Sequence, residues 1–433
     1  MTTVEATHDA IAAPIENTWK RSGKALSRQI TIGERDFVSS AVVDNTGDEL
    51  GDWWLAYLRG AALEVSSTRE QSIRSVELFC GPGGLAQGFG RACEELGFRH
   101  RGLAAVDSDP EALAVYEANH RPELTAADSV STLVDYSLRR RRSETKFRYR
   151  PEMTSEEWRE LAGEASVLLA GPPCQGHSNL NNHSRRTDER NELYLTVPAT
   201  AVALNIPLVI IENVPAVVHD RLGVVASTTE LLEDAGYYVE TGVLKADQMG
   251  WAQRRSRFFL VASRLGPPLP LASVQEGLAS PARSIGWAID DLVGLPKDRH
   301  MARVAEASEE NLSRIAYLFD NDLYNLPNSE RPDCHKDGTT YNSVYGRLYP
   351  DRPAPTITTG FLTPGRGRYI HPTERRCITP AEAARLQGFP DDYKFQTGDS
   401  PPSSMKITKW IGDAVPMPLG FAAGLSVLAT LPH

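Results

Sequence analysis

Val167-Leu168-Leu169-Ala170-Gly171-Pro172-Pro173-Cys174-Gln175-Gly176 is an apolar run that breaks into a stiff turn with a cysteine inside it. An unbroken apolar run closed by glycine and proline reads as a buried parallel strand whose carboxyl end opens into a loop, and ligands of open α/β sheets gather at such ends. The two prolines fix φ just ahead of Cys174, which aims the sulfur at little entropic cost. A thiol is a good nucleophile once it becomes a thiolate. Taken alone, a cysteine after a strand is more often a packed side chain. Its meaning comes from the neighbouring stretches.

Pro207-Leu208-Val209-Ile210-Ile211 is a second buried strand, and its end carries Glu212-Asn213-Val214-Pro215. A nucleophile and a carboxyl group at the ends of two strands of one parallel sheet come within reach of one ligand. Upstream, Arg74-Ser75-Val76-Glu77-Leu78-Phe79 runs into Cys80-Gly81-Pro82-Gly83-Gly84-Leu85 and then a helix to about Leu96. Glycines at that junction let backbone approach a ligand and present a helix N-terminus, although a plain tight turn has the same composition. The spacing is not the dinucleotide G-x-G-x-x-G. A strand at Leu103–Val106 ends at Asp107-Ser108-Asp109-Pro110. Asp109, ahead of proline, suits a helix cap, which leaves Asp107 to accept from ribose hydroxyls. Asp128, closing a short strand near Leu124–Ala127, is placed to accept from an exocyclic amine.

The 433 residues allow two or three domains, and 41% hydrophobic with 24% charged residues is ordinary for a globular chain. No signal peptide and no apolar run of bilayer-crossing length is read. The five cysteines are scattered, odd in number and never at metal-ligand spacing, so a reducing cytoplasm and no structural metal are expected. A formal net charge of -10 argues against coating nucleic acid by bulk electrostatics. Any such binding needs local basic patches, and Arg139–Arg142, Arg185/Arg186/Arg190, Arg254/Arg255/Arg257 and Arg366/Arg368/Arg375/Arg376 are either these or solvated faces.

Residues 1 to about 25 read as disordered, and Trp54, Tyr57, Leu58, Ala61 and Val65 lie at helical spacing. The division expected is an N-terminal extension (1–70), an α/β catalytic domain (71–264), a smaller irregular or β domain (265–376) and a C-terminal return (377–433). The polar, basic segment after the cysteine, 177–191, reads as a loop that closes over substrate.

In this order, Phe79-Cys80-Gly81-Pro82-Gly83-Gly84, Pro172-Pro173-Cys174-Gln175-Gly176, Glu212-Asn213-Val214, Gln253-Arg254-Arg255-Ser256-Arg257, Arg347 with Pro353-Ala354-Pro355-Thr356, Leu386-Gln387-Gly388-Phe389-Pro390 and Gly412-Asp413-Ala414-Val415 resemble the DNA cytosine-5 methyltransferase family over about residues 74 to 431. The resemblance implies a Rossmann-like methyltransferase domain, a mostly parallel sheet flanked by helices, with a smaller target-recognition domain. It implies methyl transfer from S-adenosylmethionine to C5 of cytosine in double-stranded DNA, leaving S-adenosylhomocysteine, without a metal. Cys174 would attack C6, Glu212 would meet N3 and the exocyclic amine, Arg257 would lie near O2, and Arg255 near Cys174 or the backbone. Asn213 would hold the cysteine loop, with Gln175 beside it. Phe79, Gly81, Pro82, Gly83 and Gly84 would form the cofactor cleft, with Asp107 on the ribose, Ser108 and Asp128 at the adenine, Pro173 and Leu193 lining it, and Asp413 and Val415 completing it. A cognate restriction endonuclease, no membrane, a monomer on DNA and a cytoplasmic, nucleoid-associated site of action are the partner and location expectations.

Asp413 departs from the family's usual Asn, as either a tolerated isostere or a change in loop closure or donor preference. Asp107, Ser108 and His177 replace residues that are often Glu, a large side chain and an aromatic. Two further readings stay open on the residues alone: the same chemistry on transfer RNA, and a catalytically silent DNA-binding relative.

Overall fold

The computed structural model describes residues 15–65, 72–141, 144–173, 193–295, 300–336 and 343–432. The chain opens with an antiparallel meander, β1 (Ile15–Ser22), β2 (Ala25–Ile32) and β3 (Arg35–Val42), to which β4 (Glu64–Val65) adds along β3. The tight turns rest on Gly23 and Gly33, at φ +63° and +62°, the left-handed backbone that two-residue hairpins require. The expectation of disorder up to about residue 25 is therefore wrong from Ile15 onward; residues 1–14 lie outside the described residues. Its polar composition misleads because only alternate residues of β2, Leu26, Arg28, Ile30 and Ile32, face the interior.

Asp48 caps the helix Glu49–Leu58, accepting from the Gly51 N–H at 3.0 Å. Gly60, at φ +79°, stops it: its N–H reaches Tyr57 O and that of Ala61 reaches Ala56 O, the paired bonds of a Schellman ending. The helix thus ends well short of Val65, and Trp53 and Trp54 pack inside.

The central sheet uses β5 (Ser72–Leu78), β6 (Arg99–Val106) and β7 (Leu124–Ala126). Two small ribbons, β8 (Val134–Asp135) with β11 (Glu152–Met153) and β9 (Leu138–Arg141) with β10 (Glu144–Phe147), make up the arginine-rich insertion. Strands β12 (Val167–Ala170), β13 (Leu208–Asn213), β14 (Tyr238–Lys245) and β15 (Ser256–Ser263) complete a seven-stranded sheet in the order β14-β15-β13-β12-β5-β6-β7. All its pairings are parallel except the two that β15 makes. Along β12, Val167 and Leu169 join one hydrophobic cluster and Leu168 and Ala170 the other. Burial on both faces explains why the strand reads as continuously apolar.

The helix Gly84–Glu95 lies against the C-terminal helix Met417–Leu428 at backbone contact: a Cβ on Gly88 would stand 2.4 Å from Met417 O. The most apolar 18 residues within 404–428 are 94% buried, a core element. Beyond β15, Leu271 and Val274 of the helix Leu271–Gly277 share the core of the central sheet. The helix Glu309–Asp320 gathers a small cluster of its own, in which Ile315 and Leu318 meet Leu326, Val344, Tyr345 and Ile370. Among the described residues, 265–376 holds isolated bridges and no strand.

Candidate active site

Three neighbouring strands end at one level, since Ala170 of β12 is in register with Leu78 of β5 and Ile211 of β13. The chain leaves them as Phe79–Gly84, Gly171–Pro173 and Glu212–Val214, which all contribute to the wall of one cavity of about 720 Å³. Thr356–Thr359 and Lys409 with Gly412–Val415 close its other side.

In its wall stands Glu212, whose Oε1 accepts from Arg257 Nε at 2.8 Å. Burial pushes its carboxyl above the ordinary range, and the Arg257 and then Arg255 charges pull it partly back. A Cβ on Gly171 would lie 3.8 Å from Glu212 Oε2, so the carboxyl sits beside the entry to the cysteine loop. The buried Asn213 amide donates to Pro172 O at 3.2 Å, tying that entry to β13. Cys174 and Gln175, like the rest of 174–192, lie outside the described residues. Cys80 also lines the cavity, but burial holds its thiol well above the ordinary value, so it is no source of thiolate.

The same cavity is lined by Phe79, Gly81, Pro82, Gly84, Asp107, Ser108, Asp128, Pro173, Leu193, Asp413 and Val415. Gly83 is the one expected cleft residue not on the wall; it caps the helix at φ +92°, where a Cβ would stand 2.3 Å from His120 Nε2. Phe79 is itself at φ +56°, a strained backbone for a bulky residue. Asp107 accepts from the Gly81 N–H and the Asp109 N–H, both at 2.8 Å, and burial raises its pKa. Asp109 caps its helix as expected, accepting from Glu111 and Ala112 N–H groups, and also takes a bond from Trp410 Nε1.

Arg255 donates to Ile357 O and Gly412 O, so it fastens the walls as well as facing the cavity. Gln253 does the same work deeper down: its amide donates to Leu386 O at 2.7 Å and accepts from the Ile357 N–H at 3.1 Å. Four stretches far apart in sequence, 253–257, 354–358, 386–388 and 411–414, thus meet in one buried polar knot.

The family profile described as C-5 cytosine-specific DNA methylase matches residues 73–428, most of the chain. The chain belongs to that family. It is 38% identical over 412 residues to the Type II methyltransferase M1.BsuMI of Bacillus subtilis (strain 168), covering 94% of this chain and 91% of the relative. It is 29% identical over 364 residues to the Type II methylase M.HgiDII of Herpetosiphon aurantiacus, covering 81% and 94%. The same fold occurs in the S. pombe Dnmt2 methyltransferase (TM-score 0.54, 17% identity, 82% of this chain and 98% of that one) and in the Entamoeba histolytica methyltransferase EhMeth (TM-score 0.52, 16% identity, 82% and 97%). The reaction of this cytosine-5 DNA methylase is methyl transfer to cytosine in DNA, with S-adenosylmethionine as the family's methyl donor.

The cavity suits that donor by its chemistry. Glycine backbone and the Asp107 and Asp128 carboxylates offer close approach and acceptors for a nucleoside. Glu77, buried on β5, adds a carboxyl whose pKa burial pushes up to about 8, with hydrogen bonds from Tyr116 and the Ala86 backbone pulling the other way. Sequence reasoning assigned no role to Glu77 or Lys409. A lone charge between Val76 and Leu78 in an otherwise apolar strand was the available signal for the first.

Proposed function

We propose that this methylase works through a covalent bond between Cys174 Sγ and C6 of a cytosine turned out of double-stranded DNA. C5 of cytosine is too electron-poor to attack a methyl donor; adding a thiolate at C6 converts the ring into an enamine-like nucleophile at C5. In a duplex C6 is covered by the stack, so the base must leave it. Glu212 faces the charge that gathers at N3 and the exocyclic amine when the thiolate adds. Its raised pKa favours a proton for N3, and Arg257 beside it favours the negative ring. S-Adenosylmethionine, when bound, supplies the methyl group as an electrophile on a sulfonium. Phe79, Gly81, Pro82, Gly84, Asp107, Ser108, Asp128, Pro173, Leu193, Asp413 and Val415 are the residues that would hold it. Once C5 carries its methyl group, loss of the C5 proton and departure of Sγ restore the aromatic ring and the free thiolate.

One observation carries the reading: Glu212 with its Arg257 partner stands at the end of the strand beside the one that leads, through Pro172–Pro173, into Cys174. Residues 265–376 are proposed to read the major groove, where all four base pairs are distinguishable. A monomer on DNA and pairing with a restriction endonuclease belong to the same proposal. The test is transfer of labelled methyl groups to duplex DNA and to transfer RNA. The expected product is 5-methylcytosine in the DNA digest alone; label confined to RNA contradicts the substrate, and label on an exocyclic nitrogen contradicts the mechanism.

A further inference from the structure

We infer that Tyr57, ahead of the family-matched residues, is a positioning residue that sets the affinity of the cleft for its S-adenosyl ligand by bracing the glycine loop. The inference rests on the cofactor reading above. The Tyr57 hydroxyl is buried, accepts from Gln87 Nε2 at 2.8 Å and donates to Gly388 O at 3.1 Å. One O–H and its lone pairs are thereby used in a single bridge. Gln87 belongs to the first turn of the helix that the glycine loop opens, its own N–H bonded to Gly83 O at 2.9 Å. Gly388 ends the helix Pro380–Gln387 at φ +90°, where a Cβ would stand 2.5 Å from Met417 Cβ.

From Gly388 the chain runs to Tyr393, whose hydroxyl donates to Pro82 O and lies 2.9 Å from His120 Nε2. Asp391 on the way is held by Leu58 O, at the end of the helix that carries Tyr57. The glycine loop is therefore gripped on both sides of a closed ring: Tyr57 to Gln87 on the helix, Tyr57 to Gly388, and Tyr393 back to Pro82. Within that ring lies the left-handed backbone of Gly83, and directly ahead of it that of Gly81 and the strained Phe79. Strained conformations of this kind persist only where surrounding contacts over-determine them. The brace is itself anchored, since Trp53 Nε1, one turn before Tyr57, donates to the buried Glu95 at the far end of the same helix 84–95.

The experiment is calorimetric titration of the full chain with S-adenosylhomocysteine, together with methyl-transfer kinetics on duplex DNA. Tyr57→Phe keeps the ring and removes the bridge. Its Kd is expected to weaken about three- to tenfold, the worth of one or two hydrogen bonds, with KM for the donor rising in parallel and kcat retained. Gln87→Met, which removes the donor from the other side, is expected to do the same and serves if Tyr57→Phe does not fold. Tyr237→Phe is the control, because the Tyr237 hydroxyl donates to Ile206 O, which precedes β13 at the opposite end of the sheet. It should lower the melting temperature and leave Kd unchanged. Wild-type Kd retained in both Tyr57→Phe and Gln87→Met, with only a loss of melting temperature, overturns the inference. Failure of the wild type itself to bind the ligand instead overturns the cofactor reading.

Discussion

Two buried carboxylates, one at the end of the helix 84–95 and one at the cavity, have opposite surroundings. Glu95 accepts from Arg28 at 2.8 Å, from Arg91 at 2.8 Å and from Trp53 at 3.0 Å, and none of its surface is exposed. Arg28 in turn lies over the Trp19, Trp54 and Phe421 rings. Among the described residues Glu212 has one side-chain donor, Arg257, and its other oxygen faces the side of Gly171 in a cavity wall. A buried charge that is fully met by donors locks two layers together; one that is partly met beside a cavity keeps capacity for a ligand. Burial of charge is common to both, and unmet hydrogen-bonding capacity is what separates structure from chemistry.

The sharpest division of that pair comes from Glu212→Gln. We expect kcat to fall by roughly 10²- to 10⁴-fold, the usual range for loss of a general acid, with the melting temperature near that of wild type. A large drop in stability with kcat retained would make Glu212 a second Glu95. Glu95→Ala should do the reverse, costing about 3–5 kcal/mol in denaturant unfolding because Arg28 and Arg91 lose the buried carboxylate they share, while kcat is retained in whatever fraction folds.

Glu77 sharpens the comparison by adding a third buried carboxyl, one that lines the cavity from β5. Its folded pKa, about 8, lies above the ordinary 4.5, so the folded state holds the proton more tightly across that window. Stability from this group is fully present below about pH 4.5 and is lost as pH rises through about 8. Glu77→Gln should remove that slope, which is at most about 1.4 kcal/mol per pH unit; unfolding by urea from pH 5 to 9 checks it, and parallel curves for the two proteins contradict it. Asp413 is the smallest case. Its ion pair with Lys409, at 3.4 Å, joins two side chains that are more than half exposed. An exposed pair is worth roughly 0–1 kcal/mol, so Asp413→Asn should change the Kd for S-adenosylhomocysteine by less than about fivefold, measured by titration.

The catalytic sheet was legible because its strands are buried on both faces and end abruptly: the apolar runs before Gly171 and Glu212 gave both the element and its functional end. Asp109 as a cap was readable from local chemistry, whereas a holding role for Asn213 came from the family resemblance, beside which the structure sets its bond to Pro172 O. The N-terminal sheet was not legible, because its core-facing set includes Arg28, whose charge is answered by Glu95, 67 residues away. The glycine turns at 23 and 33 were the hairpin signal that polar composition obscured. The helix end at Gly60 was equally present in the sequence, as a glycine after Leu58 and Arg59. The polar knot around Gln253 and Arg255 was not, since its partners are carbonyls of Leu386, Ile357 and Gly412 that no local pattern specifies.

Attack of the Cys174 sulfur on C6 is tested most directly with duplex DNA carrying 5-fluorocytosine and S-adenosylmethionine. Fluorine at C5 cannot leave as a proton does, so the ring cannot expel the sulfur once both C6 and C5 are substituted. Wild type should migrate as a denaturant-stable protein–DNA adduct and Cys174→Ala should not. A folded, cofactor-binding wild type that methylates ordinary duplex DNA yet leaves no adduct on the fluorinated one, or an adduct that survives Cys174→Ala, would contradict it.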